Sequence, residues 1–87
     1  NNIFLVEANG NYSKIVFSEN DKMQNRLILI SLTKLSNQLA SYSCFSRCHK
    51  SYIVNLNKVK KVMGNSHGYK LEMPMMEEMV PVYKRLQ

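Results

Sequence analysis

Residues 45–55 read FSRCHKSYIVN, a stretch in which cations stand directly beside bulky apolar groups. The side chains of Phe45 and of residues 52–54 require a buried surface, whereas those of Arg47 and Lys50 require water or a counterion. The pattern therefore predicts a segment that is anchored in a core by its apolar residues and presents its cations outward.

Charge along the chain is segregated by sign. All six acidic residues lie within residues 7–21 or 72–78, whereas nine lysines and arginines and no acids lie within residues 22–71. The run from Arg47 to Lys61 alone holds five basic residues. With a net charge of +6, this arrangement predicts an anion-facing surface, and phosphate is the commonest partner of such a surface.

Length and composition limit the possible functions. Eighty-seven residues form one domain whose core is too small for a sizeable buried active site, so function is expected at the surface. Cys44 and Cys48 do not make a disulfide framework. No segment resembles a signal peptide, and the longest apolar run, residues 27–30, is far shorter than the roughly 20 residues of a spanning helix. We therefore expect a soluble, cytoplasmic protein.

Turn residues divide the chain into short strands. The pair Asn9 and Gly10 is typical of a hairpin turn, and it precedes an alternating segment at residues 12–17. The alternation predicts that Ile15 and Phe17 face inward. Further strands are expected at residues 23–30, 56–63, 69–73 and 80–82.

Residues 32–40 are expected to form a short helix. Ser31 is a good N-cap, because its hydroxyl can accept a hydrogen bond from an amide of the first turn. Leu32, Leu35 and Leu39 form one apolar stripe at helical spacing. Two turns are too few for a coiled coil, which favours packing against a sheet over a dimer seam.

The last part of the chain completes the fold prediction. Met75, Met76 and Met79 are interpreted as core and turn filling rather than as ligands. Pro81 implies that its strand lies at a sheet edge. About seven short strands, one or two short helices and the lack of a βαβ rhythm predict a mostly β protein with small antiparallel sheets.

Residues 45–55 are similar to the signature of LytTR-type DNA-binding domains, Phe-x-Arg-x-His-[Arg/Lys]-Ser-Tyr-Ile-Val-Asn. These domains are the output modules of many bacterial two-component response regulators. Residues 5–12, 31–39 and 81–84 also resemble that family, in the right order. Residues 1–87 are therefore interpreted as one LytTR-like DNA-binding domain. The family usually has a further strand before the first motif, so we interpret the chain as a trimmed domain or a C-terminal fragment.

The resemblance implies a fold and a mode of DNA binding. The fold is an elongated stack of small antiparallel sheets with a short helix, and loops rather than a recognition helix read DNA. Three separated elements contact bases and phosphates in that family: the strand after the first turn, the loop of the His-[Arg/Lys]-Ser motif, and the segment after Pro-Val. By position, these elements correspond to Ser13 with Lys14, to Lys50, and to Lys84 with Arg85.

The candidate contacts differ in chemistry. A lysine donates to guanine O6 or N7, or to phosphate, whereas Ser13 is a short, undiscriminating donor and acceptor. The family more often has Ser-Arg where this chain has Tyr83 and Lys84, and the loss of the arginine fork argues against specific guanine reading there. The alternative for each lysine is an ordinary solvated surface charge.

Three further residues are assigned supporting roles: Arg47, His49 and Asn11. Arg47 is expected to point back and order the loop through backbone carbonyls. His49 is either structural or, when protonated, a phosphate contact.

Metal binding and catalysis are not supported by the spacing of the residues concerned. The candidate metal ligands are Cys44, Cys48, His49 and His67. The gap between the cysteines is wrong for a zinc knuckle, and adjacent Cys48 and His49 would point to opposite faces of a strand. A triad of Ser51, His49 and Glu7 lacks a nucleophile elbow and an oxyanion hole. We therefore expect reduced thiols, no metal or other cofactor, and no enzymatic activity.

Two functions are compatible with these observations. The leading hypothesis is sequence-specific binding of double-stranded DNA by the output domain of a transcription regulator, in pairs on direct repeats, controlled by phosphorylation of an upstream receiver domain. The alternative is a basic β domain that docks on an acidic protein or an anionic membrane surface. Both predict a steep salt dependence, whereas only a DNA reader loses about 1–3 kcal/mol per mismatched base pair.

Overall fold

The computed structural model describes residues 2–65, 68–74, 76 and 79–82. The described residues form two antiparallel sheets, one short α-helix and one 3-10 helix, which confirms the prediction of a mostly β fold. In chain order the elements are β1 (Ile3–Asn9), β2 (Tyr12–Glu19), β3 (Lys22–Ile28), α1 (Leu32–Gln38), β4 (Phe45–His49), β5 (Tyr52–Asn55), the 3-10 helix (Leu56–Lys58), β6 (Lys61–Asn65), β7 (Gly68–Glu72) and β8 (Val80–Val82).

The first five strands form one sheet in the order β3-β2-β1-β5-β4. Gly10 lies in the β1–β2 turn with a φ of 61°, a left-handed conformation that glycine adopts without steric cost, so the predicted hairpin is confirmed. In the β2–β3 turn, Asn20 and Asp21 have φ values of 53° and 62°. Asparagine and aspartate tolerate this region better than most residues with a side chain, which explains why a hairpin without glycine forms there.

The last three strands form a second sheet in the order β6-β7-β8. Pro81 lies in the edge strand β8, where its missing N–H removes no bond from the interior of the sheet, so the predicted edge position is confirmed. Of the three methionines expected to fill core and turns, Met76 packs against the core, Met79 is exposed, and Met75 lies outside the described residues.

Both faces of the central strands of the five-stranded sheet are covered. One face packs against the second sheet, in a core that includes Leu5, Val54 and Val82. The other face packs against α1, where Val6 and Ile53 contact the helix. The two layers bury the side chains that alternate along β1 and β5, so these central strands carry almost no solvent-facing apolar residue.

Burial of both faces corrects the expectation that Ile15 and Phe17 form one inward face of β2. Val16 is buried toward the second sheet, and Ile15 packs on the helix side. Phe17 is only half-buried, and the guanidinium of Arg26 lies over its ring, 6.0 Å from the centroid. Alternation in this strand therefore separates two cores rather than a core from solvent.

The helix begins as predicted and ends slightly earlier. The Ser31 side chain caps it by accepting a hydrogen bond from Lys34 N at 3.1 Å. Leu32 is buried, and Leu35 and Leu39 pack against the same cluster, which confirms the core role of the stripe. Among the described residues, no helix is long and apolar enough to cross a lipid bilayer.

The strand expected over residues 56–63 is wrong in its first half. The buried side chain of Asn55 accepts a hydrogen bond from Asn57 N at 3.0 Å, which turns the chain into the 3-10 helix. The same side chain donates to Ile3 O at 2.8 Å and so fixes the end of β5 to the start of β1. The chain then leaves the first sheet and enters the second at Lys61.

Candidate nucleic-acid interface

Two turns from distant parts of the chain meet at one end of the five-stranded sheet. The β1–β2 turn is formed by Gly10 and Asn11, and the β4–β5 turn is formed by Lys50 and Ser51. Ala8 N donates to Ser51 O at 2.8 Å, a bond that joins the first hairpin to the second turn. We call this region the turn end of the sheet. It brings together the first two of the three elements that were expected to contact DNA.

Arg47 fixes the loop that carries Lys50. Its Nη2 donates to Lys50 O at 2.7 Å, and its Nη1 donates to Thr33 Oγ1 at 2.8 Å. Arg47 thus points back to a backbone carbonyl of the loop as expected, its ordering of the loop stays a prediction, and the contact with Thr33 adds an anchor on α1. The planar guanidinium presents a separate nitrogen to each acceptor, whereas both acceptors would have to converge on the one nitrogen of an ammonium. The exposed Lys50 side chain therefore projects from a backbone that is held on two sides.

His49 is tied into the same turn. Its Nδ1 accepts a hydrogen bond from Ser51 N at 3.1 Å, and its ring meets the Tyr52 ring edge-on, with centroids 5.7 Å apart. These contacts support the structural interpretation of His49.

Lys14 lies three residues after the first turn and is paired across the sheet. Its Nζ is 3.6 Å from Oε1 of Glu7, and the two side chains are 35% and 36% exposed. The other oxygen of the same carboxylate, Oε2, accepts a hydrogen bond from the Tyr52 hydroxyl at 3.2 Å. Lys14 is therefore a partly exposed cation at the turn end whose charge is shared with an acid. Asn11, in the turn itself, is exposed.

Ser13 does not reach the surface. Its side chain is fully buried, with an exposure of 0%, and its hydroxyl donates to Ile30 O at 2.8 Å. The bond holds the segment before α1 against β2, on the face opposite Lys14. Ser13 was expected to contact DNA, and this burial corrects that expectation: its hydroxyl is a structural group.

The third expected element lies beyond the part of the chain that the structure describes. Tyr83, Lys84 and Arg85 follow directly after β8, which ends at Val82. Within the described residues, β8 approaches β4, and Cys48 Sγ lies 3.8 Å from Pro81 O. The strand that precedes Lys84 and Arg85 is thus in contact with the strand that carries Arg47 and His49.

The basic run from Arg47 to Lys61 does not form one surface. Strand β5 separates Lys50 at the turn end from Lys58 at the opposite end. Lys58 lies over the Phe4 ring, 5.3 Å from the centroid, and Lys60 is 3.5 Å from Oε2 of Glu72 in the second sheet. The expectation of a single anion-facing surface from this run is therefore wrong, because the run is interrupted by a buried strand.

The thiols and the candidate metal ligands are dispersed. Cys44 is half-buried and Cys48 is buried, and both are free cysteines. Burial raises the pKa of the Cys48 thiol to about 11, because the thiolate would be poorly solvated. No group of three or more histidine, cysteine or acidic side chains that could hold a metal ion occurs within the described residues, which exclude His67.

The sequence did not reveal three contributors to this region. Glu7 and Tyr52 are 45 positions apart in sequence but are hydrogen-bonded neighbours on adjacent strands. Thr33, on the helix, accepts a hydrogen bond from Arg47. Glu7 and Tyr52 both fall inside the motifs quoted above, so their positions were marked. Their contact depends on the pairing of β1 with β5, and no local pattern specifies that pairing.

Fold and site together define a small basic β domain in which Lys50, in an ordered turn, and Lys14, on the neighbouring strand β2, lie at one end of a sheet. The sequence model of the LytTr DNA-binding domain family matches residues 1–86, so the chain belongs to that family. This is a DNA-binding family rather than a catalytic one. Membership of the family therefore implies DNA, the expected partner, as the partner of this domain.

A solved structure supports the fold. The chain is similar to the LytTr DNA-binding domain of a protein assigned as a methyl-accepting/DNA response regulator from Bacillus cereus, with a TM-score of 0.68 and 24% sequence identity. The similarity covers 93% of this chain and 70% of that chain. No curated protein gives a significant match to the sequence.

Proposed function

We propose that this domain binds specific DNA sequences and regulates transcription as the output domain of a response regulator. The observation that carries the proposal is the turn end, where the exposed Lys50 extends from a loop held by Arg47, beside the first turn and the strand β2 that carries Lys14. A charge-only binder gains little from ordered loops, whereas base reading requires donors that are held at defined positions.

The proposed contacts follow from this geometry and from the family resemblance. Lys50 and Lys14 donate to base edges or phosphates, and Lys84 with Arg85 supply the third element. Arg47, His49 and Asn11 support these contacts by ordering the two turns. Ser13 is left out of the contact set because its side chain is buried.

The regulatory setting belongs to the same proposal. An upstream receiver domain, phosphorylated by a sensor kinase in the cytoplasm, brings two copies of the domain together on direct repeats. A lone domain then binds weakly, because it offers a few cations and one reading surface. The methyl-accepting/DNA response regulator named above supports this setting through fold similarity.

Selection of bound duplexes from a random pool tests the proposal. An enriched motif, present as a repeat, is expected. A pool that stays unenriched while the domain still binds polyanions would overturn sequence-specific binding. Vesicles with anionic and neutral headgroups, tested in parallel, then determine whether the basic surface docks on membranes instead.

A further inference from the structure

A row of polar side chains crosses the five-stranded sheet just below the two turns. Lys14 on β2 is directly opposite Glu7 on β1, Glu7 is opposite Tyr52 on β5, and Tyr52 is opposite His49 on β4. Each neighbouring pair is also in contact: an ion pair, a hydrogen bond and an edge-on ring contact. We call these four residues the polar row. It links the first turn to the turn that carries Lys50.

The acid in the polar row is unexpected at a surface that binds an anion. A carboxylate repels phosphate, and within a Debye length it cancels part of the attraction of the neighbouring cations. Glu7 nevertheless lies at the centre of the row, and both of its oxygens are engaged, one by Lys14 and one by Tyr52. Its two strand neighbours hold it there, so the carboxylate is a fixed feature of the surface.

We propose that Glu7 is a positioning residue that gives up affinity for DNA in exchange for discrimination between sequences. This inference rests on the proposed function, since discrimination has meaning only for a domain that reads DNA. It assigns Glu7 no base contact of its own. Glu7 acts by holding the ammonium of Lys14 and the ring of Tyr52.

Lys14 is restrained by its ion pair with Glu7. A free lysine has a flexible four-carbon stem and reaches the nearest phosphate, which occurs in every sequence. With Glu7 3.6 Å away, the ammonium of Lys14 is attracted to one place on the sheet. Because the pair is about one-third exposed, the attraction between Lys14 and Glu7 is modest. A base acceptor at the right place can replace Glu7 as the partner of the ammonium, whereas an acceptor at the wrong place does not compensate for the loss of the ion pair.

Tyr52 links Glu7 to the second turn. The Tyr52 hydroxyl fixes the carboxylate at 3.2 Å, and the Tyr52 ring supports His49, whose Nδ1 accepts from Ser51 N in the turn itself. A shift of either turn relative to the other must therefore disturb this set of contacts. Glu7 thus sets the distance between Lys14 on β2 and the turn that presents Lys50.

The chain offers a matched control on its other sheet. Lys60 and Glu72 form an ion pair at 3.5 Å, similar in length to the pair between Lys14 and Glu7, and the Glu72 side chain is 32% exposed. Glu72→Gln removes the same charge as Glu7→Gln and gives the same net charge. Differences between the two variants therefore report position rather than total charge.

The test measures binding of the wild type, Glu7→Gln and Glu72→Gln to the preferred duplex from the selection and to a scrambled duplex at several salt concentrations. For Glu7→Gln, we expect equal or tighter binding to the scrambled duplex, a salt slope steeper by about one, and a roughly tenfold loss of discrimination. Glu72→Gln should discriminate as the wild type does.

Other outcomes separate the competing explanations. Unchanged discrimination in Glu7→Gln overturns the inference, and so does an equal loss of affinity for both duplexes, which indicates a purely structural residue. If Glu7→Gln does not fold, Tyr52→Phe decides: it keeps the ring and removes the hydroxyl that holds the carboxylate, and wild-type discrimination by this variant also overturns the inference. A wild type that binds all duplexes alike contradicts the proposed function instead, whatever the variants do.

Discussion

The two ends of the five-stranded sheet are built from similar turns but differ in charge. The turn end carries the turn of Gly10 and Asn11 together with Lys50 and Ser51, and the opposite end carries the turn of Asn20 and Asp21. All three are two-residue turns between antiparallel strands. The turn at the opposite end and its flanking residues carry two acids, Glu19 and Asp21, beside Lys22, whereas Lys50 is the charged residue of the turns at the turn end.

The two ends also differ in how they are held together. At the opposite end, the buried side chain of Asn55 bonds Ile3 O and Asn57 N. At the turn end, the exposed side chain of Arg47 bonds Thr33 and the loop. Buried hydrogen bonds are costly to lose, whereas exposed ones are exchanged for water at little cost. Stability and DNA binding should therefore be separable by mutation at opposite ends of one sheet.

The largest effect is expected at the opposite end. Asn55→Ala leaves Ile3 O and Asn57 N without this buried partner and opens a small cavity, and it should lower the free energy of unfolding by about 2–4 kcal/mol. Chemical denaturation measures this change. Asn57→Ala, an exposed position in the 3-10 helix, is the control and should stay within about 0.5 kcal/mol of the wild type. An Asn55→Ala variant as stable as the wild type would contradict the inference that the buried hydrogen bonds of Asn55 stabilise the opposite end of the sheet.

The next effect concerns binding at the turn end. Lys50→Ala should cost about 1–3 kcal/mol on the preferred duplex and relax the preference at one or two base positions. Lys22→Ala, the same substitution at the opposite end, should have a much smaller effect. Binding of both variants to preferred and scrambled duplexes at two salt concentrations measures this. An equal loss on every sequence would make Lys50 a phosphate contact, and equal small losses for both variants would mean that the turn end does not read DNA.

A smaller loss is expected when the support of the loop is weakened. Arg47→Lys keeps the charge but offers one nitrogen where the guanidinium offers two, one to Thr33 Oγ1 and one to Lys50 O, so it should weaken binding to the preferred duplex by about 1 kcal/mol. Arg26→Lys on β3 is the matched control and should bind as the wild type does. Titration of a labelled duplex detects the difference. If Arg47→Lys is indistinguishable from Arg26→Lys, the loop is ordered without the guanidinium.

The smallest effects are expected from two single substitutions, each of which places in one hairpin turn the residue type found in the other. Gly10→Asn and Asn20→Gly place in each turn a residue that tolerates positive φ, so each should change the free energy of unfolding by about 0.5 kcal/mol or less. DNA binding should also be unchanged in both, as measured on the preferred duplex. A marked loss of affinity in Gly10→Asn alone would indicate that DNA approaches the backbone of that turn too closely for a side chain.

The sequence by itself determined the local features of this protein. The pair of Asn9 and Gly10, the cap at Ser31 and the edge position of Pro81 were predictable because each depends on the backbone geometry of a few adjacent residues. The leucine stripe of the helix was predictable for the same reason. Residues 45–55 carried the family resemblance and the loop-ordering role of Arg47.

The tertiary structure decided what depends on strand order. The pairing of β1 with β5 brings Glu7 beside Tyr52, and the cover on both faces of the sheet buries Ser13 instead of exposing it. The buried strand β5 also separates Lys58 from Lys50, although both lysines belong to one basic run. Such contacts join residues far apart in sequence, and their formation depends on which faces the helix and the second sheet bury. Local periodicity cannot specify this, because an alternating strand looks the same whether its second face meets solvent or another core.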